Sequence, residues 1–221
     1  MFRRTAPRFL LAALVALSFG ATTAQADPLV VTSYDMPNGN GQASGGQYNY
    51  WDATYDGHGR RHHDGSFLHG GTGALTDGVI ATDAWNAVSN TQGTGEYVGW
   101  KGSPTITFHF GSTVDIDDIT LYVDDSNVGG VTSPSAVIVN GTTYDNSNYA
   151  AYFGGTQAIK LSGLDIVGNS VTVTLVDPTS WVFMSEITFD GFVTGVPEPG
   201  TVAMMLAGLG LMSWTARRRR A

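Results

Sequence analysis

Alternation of apolar and polar residues over short stretches is the feature that most constrains how this chain can fold. In residues 105–110 every second side chain is apolar, and the same period of two returns in residues 119–123 and 171–175. Such a pattern gives an extended strand one apolar and one polar face. Between two further strand-like runs stands Asn140-Gly141, a pair that two-residue hairpin turns prefer. Because no helical pattern is long enough for the crossover of a parallel sheet, the spacing predicts an antiparallel β-sandwich.

The composition favours the same all-β class. The 221 residues include 29 glycines and only 14% are charged, so long helical stretches rich in Glu, Lys and Leu are missing. Further strands are predicted at 30–34 and 181–192, whereas the Asn-Gly, Gly-Gly and Asp-Gly steps within 37–73 predict a loop. The chain has no cysteine, which excludes a disulfide scaffold and a thiolate metal site.

Residues 1–26 have the three-part organisation of a secretory signal peptide. Three arginines lie within the first eight residues, an apolar run follows at 9–19, and Ala24 and Ala26 give the small-x-small pattern of a signal-peptidase site. Cleavage by signal peptidase would leave Asp27 as the first residue of the mature chain. The alternative, an uncleaved membrane anchor, is disfavoured because the apolar run is too short to span a bilayer comfortably.

The stretch 196–221 also divides into three parts. Pro197-Glu198-Pro199 is stiff and extended, because each proline fixes φ and lacks a backbone donor. Residues 201–216 are mostly apolar and predict a short transmembrane helix of roughly 24 Å, a little less than a hydrocarbon core of about 30 Å. Four arginines close it: Arg217, Arg218, Arg219 and Arg220. By the positive-inside rule they stay in the cytoplasm, which puts the preceding domain on the opposite side of the membrane.

These C-terminal residues resemble the PEP-CTERM sorting signal of exported Gram-negative bacterial proteins. The match consists of the Pro-Glu-Pro motif, a short apolar span and an arginine cluster, in that order. The resemblance implies an exosortase as processing partner and cleavage near Pro-Glu-Pro. It further implies transient anchoring in the inner membrane, with the domain in the periplasm, and release to the cell surface or extracellular matrix. A plain C-terminal anchor on a rigid stalk is the alternative.

The region between the two end segments is far more acidic than the whole chain. Of the 11 lysines and arginines, seven lie in the end segments, whereas residues 27–196 hold 4 basic and 18 acidic residues and have a net charge of −14, against −8 overall. A domain with this charge repels nucleic acid and anionic lipid. Divalent cations or cationic partners would suit it better.

The order of several features in this region resembles the discoidin, or coagulation-factor type C, family. The features are Leu75-Thr76-Asp77-Gly78, Trp85, Trp100, the strand at 105–110, the acidic strand at 114–123, Trp181–Ile187 and Phe189-Asp190-Gly191. The resemblance covers residues 73–192 and implies a jelly-roll β-sandwich within the galactose-binding-like folds for residues 27–195. Members of this family are mostly non-enzymatic. They bind glycans, lipids or proteins through loops at one end of the sandwich and often hold one structural calcium ion.

The same resemblance implies a calcium site formed by Asp77 and Glu186, with Thr82 or Asp83 as further ligands. Calcium takes about six to eight oxygen ligands from carboxylates and turn carbonyls. Glu186 stands in an apolar run, where a carboxylate is costly unless it is paired or bound to a metal. In the alternative interpretation, Glu186 faces solvent at a sheet edge and Asp77 makes an Asx turn before Gly78.

Aromatic side chains can stack on the apolar face of a sugar ring. Tyr50 and Trp51, in a glycine-rich stretch, are the candidate ligand contacts. Trp85, Trp100 and Trp181 occupy positions at which the discoidin-like family buries aromatic residues, so we expect these three in the core.

Two further clusters of potential ligands have weaker support. Imidazoles can bind Zn²⁺ or Cu²⁺, but the four clustered histidines match no structural zinc spacing and adjoin two arginines, so an exposed flexible loop is expected. They are His58, His62, His63 and His69. The clustered aspartates lack the central glycine and terminal glutamate of an EF-hand, so solvated charges at strand ends are expected. They are Asp115, Asp117, Asp118, Asp124 and Asp125.

Sequence motifs of the common enzyme classes are absent: there is no Gly-x-Ser-x-Gly elbow, His-Glu-x-x-His pair, phosphate loop or dinucleotide fingerprint. The leading hypothesis is a non-catalytic surface protein that binds carbohydrate, such as the exopolysaccharide of its own cell. The second hypothesis is a structural or protein-interaction component of the matrix without a small ligand. The third is a hydrolase.

Overall fold

The computed structural model describes residues 26–41, 48–88, 95–145, 147, 155–176, 181–194 and 199–218. Residues 1–25, which form most of the predicted signal peptide, lie outside this part, and Ala24 of the cleavage site is among them. Pro197 and Glu198 of the sorting motif and the final arginines Arg219 and Arg220 also lie outside the described residues.

The described residues form nine strands and two α-helices. The strands are β1 (Asp27–Pro28), β2 (Val31–Pro37), β3 (Phe67–Gly71), β4 (Val98–Trp100), β5 (Thr105–Asp124), β6 (Ala136–Val139), β7 (Thr142–Asp145), β8 (Thr156–Val176) and β9 (Val182–Val193). The helices are α1 (Trp85–Val88) and α2 (Pro199–Arg218), and a 3₁₀ turn spans Val128–Gly130. Every pairing between these strands is antiparallel, so the predicted all-β antiparallel class is confirmed.

A long ribbon of β5 and β8 sets the architecture. Its pairing runs from Thr105 opposite Thr174 to Asp124 opposite Thr156, with a shift of register after His109. Before the shift β5 also pairs with β2, and after the shift it pairs with β9. Because β8 occupies one edge of β5 throughout, β2 and β9 share the other edge. The ribbon therefore bends from one layer of the sandwich into the other.

The apolar core, here named the sandwich core, fills the space between the two layers. Ile106, Phe108 and Phe110 of β5 are buried, as the period of two predicted. Phe189 of β9 meets two of them, with ring centroids 5.2 Å from Phe108 and 5.3 Å from Phe110. Burying a side chain of this size contributes about 1.5–3 kcal/mol, so the inner faces of the strands are a main source of stability.

The turn between β6 and β7 has the predicted conformation. Its two central residues, Asn140 and Gly141, have φ angles of 47° and 86°. Positive φ at both positions is what a type I′ turn requires, and its twist matches that of the flanking strands. This hairpin is therefore specified by a local sequence signal.

The loop predicted for residues 37–73 is partly wrong. Phe67–Gly71 forms β3, which pairs with β2, and His58 pairs with His69 in an isolated antiparallel bridge. The glycine-containing turns of this stretch do occur. Its strand was not predicted because it pairs with a segment elsewhere in the sequence, and the alternation of apolar and polar residues does not identify such partners.

The two ends of the sandwich carry different parts of the chain. Strand β1 pairs with the last part of β9, with Asp27 opposite Gly191, so both ends of the domain leave the sandwich together. We name this the terminal end, and it comprises residues 27–32, 110–114 and 191–194. The opposite end, named the loop end, carries residues 38–41, 100–104 and 125–135 together with Trp181.

Helix α2 contains the predicted segment 201–216, so the helical conformation of that segment is confirmed. In the part of the chain that the structure describes, no helix is both long and apolar enough to cross a membrane. The predicted membrane span is therefore not supported. The 20 residues of α2 begin with Pro199 and Gly200 and end with Arg217 and Arg218, which shortens the apolar part.

Candidate functional site

A second apolar core lies beneath the loop end. We name it the aromatic cluster, and its buried members are Tyr50, Ala81, Trp85, Tyr97, Val131, Trp181 and Phe183. Tyr50 packs against four other rings, with centroids 5.6 Å from Trp85, 5.5 Å from Trp181, 4.5 Å from Phe183 and 6.3 Å from Tyr48. Each such ring pair stabilises the fold by about 0.5–1.5 kcal/mol beyond the effect of its buried area. The cluster therefore stabilises the loops that pack on it.

The aromatic cluster corrects one prediction and confirms another. Tyr50 is only 1% exposed, so its ring is not available to a ligand, and the prediction that it contacts one is wrong. The physical reason is that three rings from distant parts of the chain enclose it. Trp85, Trp100 and Trp181 are buried, as expected.

Trp51, the other predicted ligand contact, is half-buried and held in place. Its indole Nε1 donates a hydrogen bond of 2.7 Å to Asp64 Oδ1, which also accepts a bond of 2.6 Å from the backbone N–H of Gly41. The edge of the His62 ring packs against it, with centroids 5.7 Å apart. Trp51 therefore presents a fixed, partly exposed aromatic surface.

A groove of about 190 Å³ opens at the loop end. Its lining residues are Pro37, Asn38, Asn40, Gly65, Trp100, Lys101, Gly102, Ser103 and Pro104. Trp51 does not line the groove but lies beside it, because its partner Asp64 directly precedes the lining residue Gly65. Asn40 Oδ1 accepts a 2.7 Å hydrogen bond from the backbone N–H of Lys101, although the two residues are 61 positions apart. Lys101 Nζ lies 4.9 Å from the ring centroid of Trp181, which holds its positive charge near the groove. Sequence reasoning missed this groove because only the pairing of distant segments brings its two sides together.

Buried Asn38 fixes the shape of the groove. Its side-chain Nδ2 donates a 2.8 Å hydrogen bond to the carbonyl of Arg61, and its Oδ1 accepts 2.8 Å bonds from the backbone N–H groups of Gly39 and Asp52. One carboxamide thus joins three segments of the chain. Because buried polar groups are costly when unpaired, this arrangement favours a single geometry for the loop end.

Two of the clustered aspartates also organise the loop end. Asp124 and Asp125 are buried, so the expectation that they are solvated is wrong. Asp124 Oδ2 accepts a 2.6 Å hydrogen bond from the backbone N–H of Trp85, and Asp125 Oδ1 accepts one of 2.9 Å from that of Ser133. Burial raises the pKa of Asp124, and its hydrogen bonds oppose that rise. Asp118, by contrast, forms a partly exposed ion pair with Lys160.

The predicted calcium ligands Glu186 and Asp77 do come together. Glu186 is 3% exposed, and its Oε2 accepts a 3.0 Å hydrogen bond from the backbone N–H of Gly78. Burial raises the pKa of Glu186 to about 8, and the charge of nearby Asp77 adds to the rise. Asp77 Oδ1 accepts a 2.8 Å bond from the N–H of Val79, which is the Asx turn of the alternative interpretation.

The other two predicted ligands are placed differently. Thr82 is exposed, and Asp83 Oδ1 accepts a 2.9 Å hydrogen bond from the N–H of Ala84, just before α1. Across the described ranges, no group of three or more His, Asp and Glu side chains is placed to hold a metal ion. A buried carboxylate beside a second one still fits a cation, because a positive charge would offset both burial and repulsion. Asp77 and Glu186 are the residues that would hold such an ion, and backbone carbonyls or water would have to supply the remaining oxygens.

Two family models match the chain. The model of the discoidin domain-containing receptor 1/2 DS-like domain matches residues 30–191. The model of the PEP-CTERM protein-sorting motif matches residues 195–220. No curated protein matches the chain.

Several solved structures resemble this one at low identity. SpGH29 is 13% identical with a TM-score of 0.39, and the match covers 75% of this chain but only 28% of SpGH29. A fucolectin from striped bass (Morone saxatilis) serum is 10% identical with a TM-score of 0.34, covering 76% of this chain and 80% of the lectin. A chitosan-binding module from a chitosanase/glucanase of Paenibacillus sp. IK-5 is 13% identical with a TM-score of 0.32, covering 53% and 96%.

Proposed function

The chain belongs to the discoidin domain-containing receptor 1/2 DS-like domain family, and on that premise we propose that it is an exported surface protein that binds carbohydrate without catalysing a reaction. The observation that carries the proposal is the groove at the loop end, which is lined by two asparagines and Lys101 and has the partly exposed ring of Trp51 beside it. Extracellular polysaccharide, including that of the producing cell, is the proposed ligand.

The chemistry of the groove suits a sugar ring. A pyranose presents hydroxyl groups around its edge and an apolar face, so it is bound by a few fixed polar groups beside an aromatic surface. Asn40 and Lys101 line the groove and supply polar groups. The partly exposed ring of Trp51 lies outside the lining, beside it, and is held by Asp64, the neighbour of the lining residue Gly65. The positive charge of Lys101 also favours acidic polysaccharides, which the otherwise acidic domain would repel.

The two ends of the molecule support a surface location. The PEP-CTERM motif at residues 195–220 is a protein-sorting motif, and we propose that an exosortase recognises and cleaves it after export through a signal peptide. Because both ends of the domain leave at the terminal end, the groove lies at the end away from the sorting segment. A protein held through its C-terminal segment would thus keep its groove open to polymer.

We also propose that Asp77 and Glu186 hold one structural calcium ion. The support is the buried carboxylate of Glu186, whose raised pKa reflects the cost of charge at that position. Calorimetry with added Ca²⁺ and with a chelator tests it, with Glu186→Gln as the variant. A melting temperature that rises with Ca²⁺ in the wild type and not in the variant supports the site, whereas an unchanged value in both rejects it.

Glycan arrays and pull-down with purified exopolysaccharide test the carbohydrate proposal. We expect binding by the wild type, weaker binding by Lys101→Ala and Trp51→Ala, and unchanged binding by Lys160→Ala. The last is a matched control, because Lys160 is a lysine on β8 that pairs with Asp118 outside the groove. Absence of binding to any glycan would reject the proposal, and self-association without glycan binding would favour a structural matrix component instead.

A further inference from the structure

The histidine-rich stretch contains a pair that sequence spacing did not reveal. The backbone N–H of His58 donates to the carbonyl of His69 at 2.9 Å, and the N–H of His69 donates to the carbonyl of His58 at 3.0 Å. Residues that exchange both bonds stand directly opposite each other in an antiparallel bridge, and their side chains project to the same side. The two imidazole rings accordingly lie side by side, with centroids 5.2 Å apart and planes inclined by 31°.

This separation suits two ligands of one metal ion. Imidazole nitrogens bind transition metals at about 2.0–2.1 Å, which brings the centroids of two rings in adjacent coordination positions to roughly 5 Å. The observed distance of 5.2 Å therefore needs little adjustment. Both side chains are exposed, so an ion and its remaining water ligands can reach them.

The surroundings hold the pair in place. The ring of Phe67 stacks on His69 with centroids 5.9 Å apart, which restricts the rotation of that imidazole. Next to His69, the N–H of Gly70 donates a 2.9 Å bond to Asp35 Oδ1, and the other oxygen of this carboxylate lies 3.1 Å from His109 Nε2. The backbone beside His69 is therefore fixed to β2.

We propose that His58 and His69 form a two-histidine binding site for a divalent transition-metal ion, with Cu²⁺ preferred to Zn²⁺ and water completing the coordination. The preference follows from the general order of stability of complexes with nitrogen ligands. Calcium, which takes oxygen ligands, should not bind here. The site shares no residue with the groove or with the pair of Asp77 and Glu186, so it goes beyond the carbohydrate-binding proposal.

Metal titration of the full chain, followed by thermal unfolding, tests the site. We expect the melting temperature to rise with Cu²⁺ and less with Zn²⁺, because a ligand bound only by the folded state stabilises it. His58→Ala and His69→Ala should each remove most of the rise, and the double variant should lose little more, since one imidazole alone cannot chelate. His63→Ala is the matched control and should retain the response.

Electron paramagnetic resonance of bound Cu²⁺ gives a second measurement that does not depend on stability. Two coupled imidazole nitrogens are expected in the wild type and in His63→Ala, and no more than one in either single variant of the pair. The backbone bridge does not involve the side chains, so the alanine variants should fold. An equal Cu²⁺ response in wild type and His58→Ala, or an equal loss in His63→Ala, would overturn the proposal.

Discussion

The sandwich core and the aromatic cluster are both closed to solvent, yet they are held in place differently. In the sandwich core, side chains such as Phe108 and Phe189 project from regular strands, and strand pairing fixes their positions. In the aromatic cluster, Tyr50 comes from an irregular segment and Trp85 begins the short helix α1. There a buried carboxylate, Asp124, holds the backbone next to the ring.

This difference bears on function. Most of the sandwich core is apolar and has no charge state to change, although Tyr34 within it donates a hydrogen bond to the buried carboxylate of Asp52. The loop end and the neighbouring pair of Asp77 and Glu186 depend more on buried carboxylates, whose hydrogen bonds respond to protonation and bound ions. We therefore expect substitutions of apolar core residues to act independently of pH, and the buried carboxylates of the loop end and of Glu186 on β9 to make stability respond to pH and ions. The following predictions test that contrast.

The largest expected effect is on the sandwich core. Phe189→Ala should lower the free energy of unfolding by about 3–5 kcal/mol, because it leaves a cavity between two other rings. Phe67→Ala is the control, since that ring is 61% exposed and its loss should change little. Denaturant unfolding measures both, and a loss below 1 kcal/mol for Phe189→Ala would contradict the role given to this core.

The second prediction concerns Glu186. The folded protein keeps a proton on this group up to about pH 8, whereas the unfolded chain releases it near the usual value of 4.5. Its contribution to stability is therefore greatest below pH 4.5 and is lost as the pH rises towards 8. Glu186→Gln should remove this part of the pH dependence, which is on the order of a few kcal/mol.

The comparison must be made as a difference between wild type and variant, because the buried carboxyl groups of Asp52 and Asp124 have pKa values raised in the same direction. Asp27→Asn is the control: it removes an exposed carboxylate and should leave the dependence of the unfolding free energy on pH unchanged. Added Ca²⁺ should flatten the wild-type curve if the ion binds. If the unfolding free energies of wild type and Glu186→Gln changed with pH in parallel, Glu186 would not be the cause of the pH dependence.

The third prediction concerns the junction made by Asn38. Asn38→Ala should cost about 1–3 kcal/mol, since it leaves buried backbone groups at Arg61 and Asp52 without their partner. Hydrogen exchange should show faster opening in the loop end and unchanged protection in the β5–β8 ribbon. The control is Asn86→Ala, an exposed residue of α1. Uniform loss of protection would show that the two regions are not separable.

The smallest effect is expected in the groove. Lys101→Ala should weaken glycan binding by about 1 kcal/mol, or roughly fivefold. The loss of its contact with the Trp181 ring should lower stability by no more than about 1 kcal/mol. Calorimetric titration with the best glycan from the array measures it, with Lys160→Ala beside it. Equal affinities for the two variants would remove Lys101 from the proposed site.

Features of the fold could be predicted where the residues that determine them are neighbours in the sequence. The alternation in 105–110 and the Asn140-Gly141 turn are local, and both correspond to the observed structure. The burial of Tyr50 is not local, because the rings that enclose it come from distant segments. A tyrosine in a glycine-rich stretch therefore looked exposed.

The candidate sites show the same limit. The family resemblance suggested both Asp77 and Glu186, and Glu186 also stands out locally as a carboxylate in an apolar run. Asn40 and Lys101 carry no motif, and only the meeting of two loops gives them a joint role. The sequence showed that histidines are clustered in this stretch, but not that His58 and His69 stand opposite each other. An isolated bridge of two residues leaves no alternating pattern from which it could be predicted.

The course of β9 has a mechanical consequence. This strand begins beside Trp181 at the loop end and finishes at Val193 at the terminal end, with β5 paired along it from Met184 to Val193. A polymer pulling on the groove, against a C-terminal attachment, would apply tension nearly parallel to β9. The hydrogen bonds between β9 and β5 would then be sheared together instead of opening one after another, which is the geometry in which a strand pair resists force best.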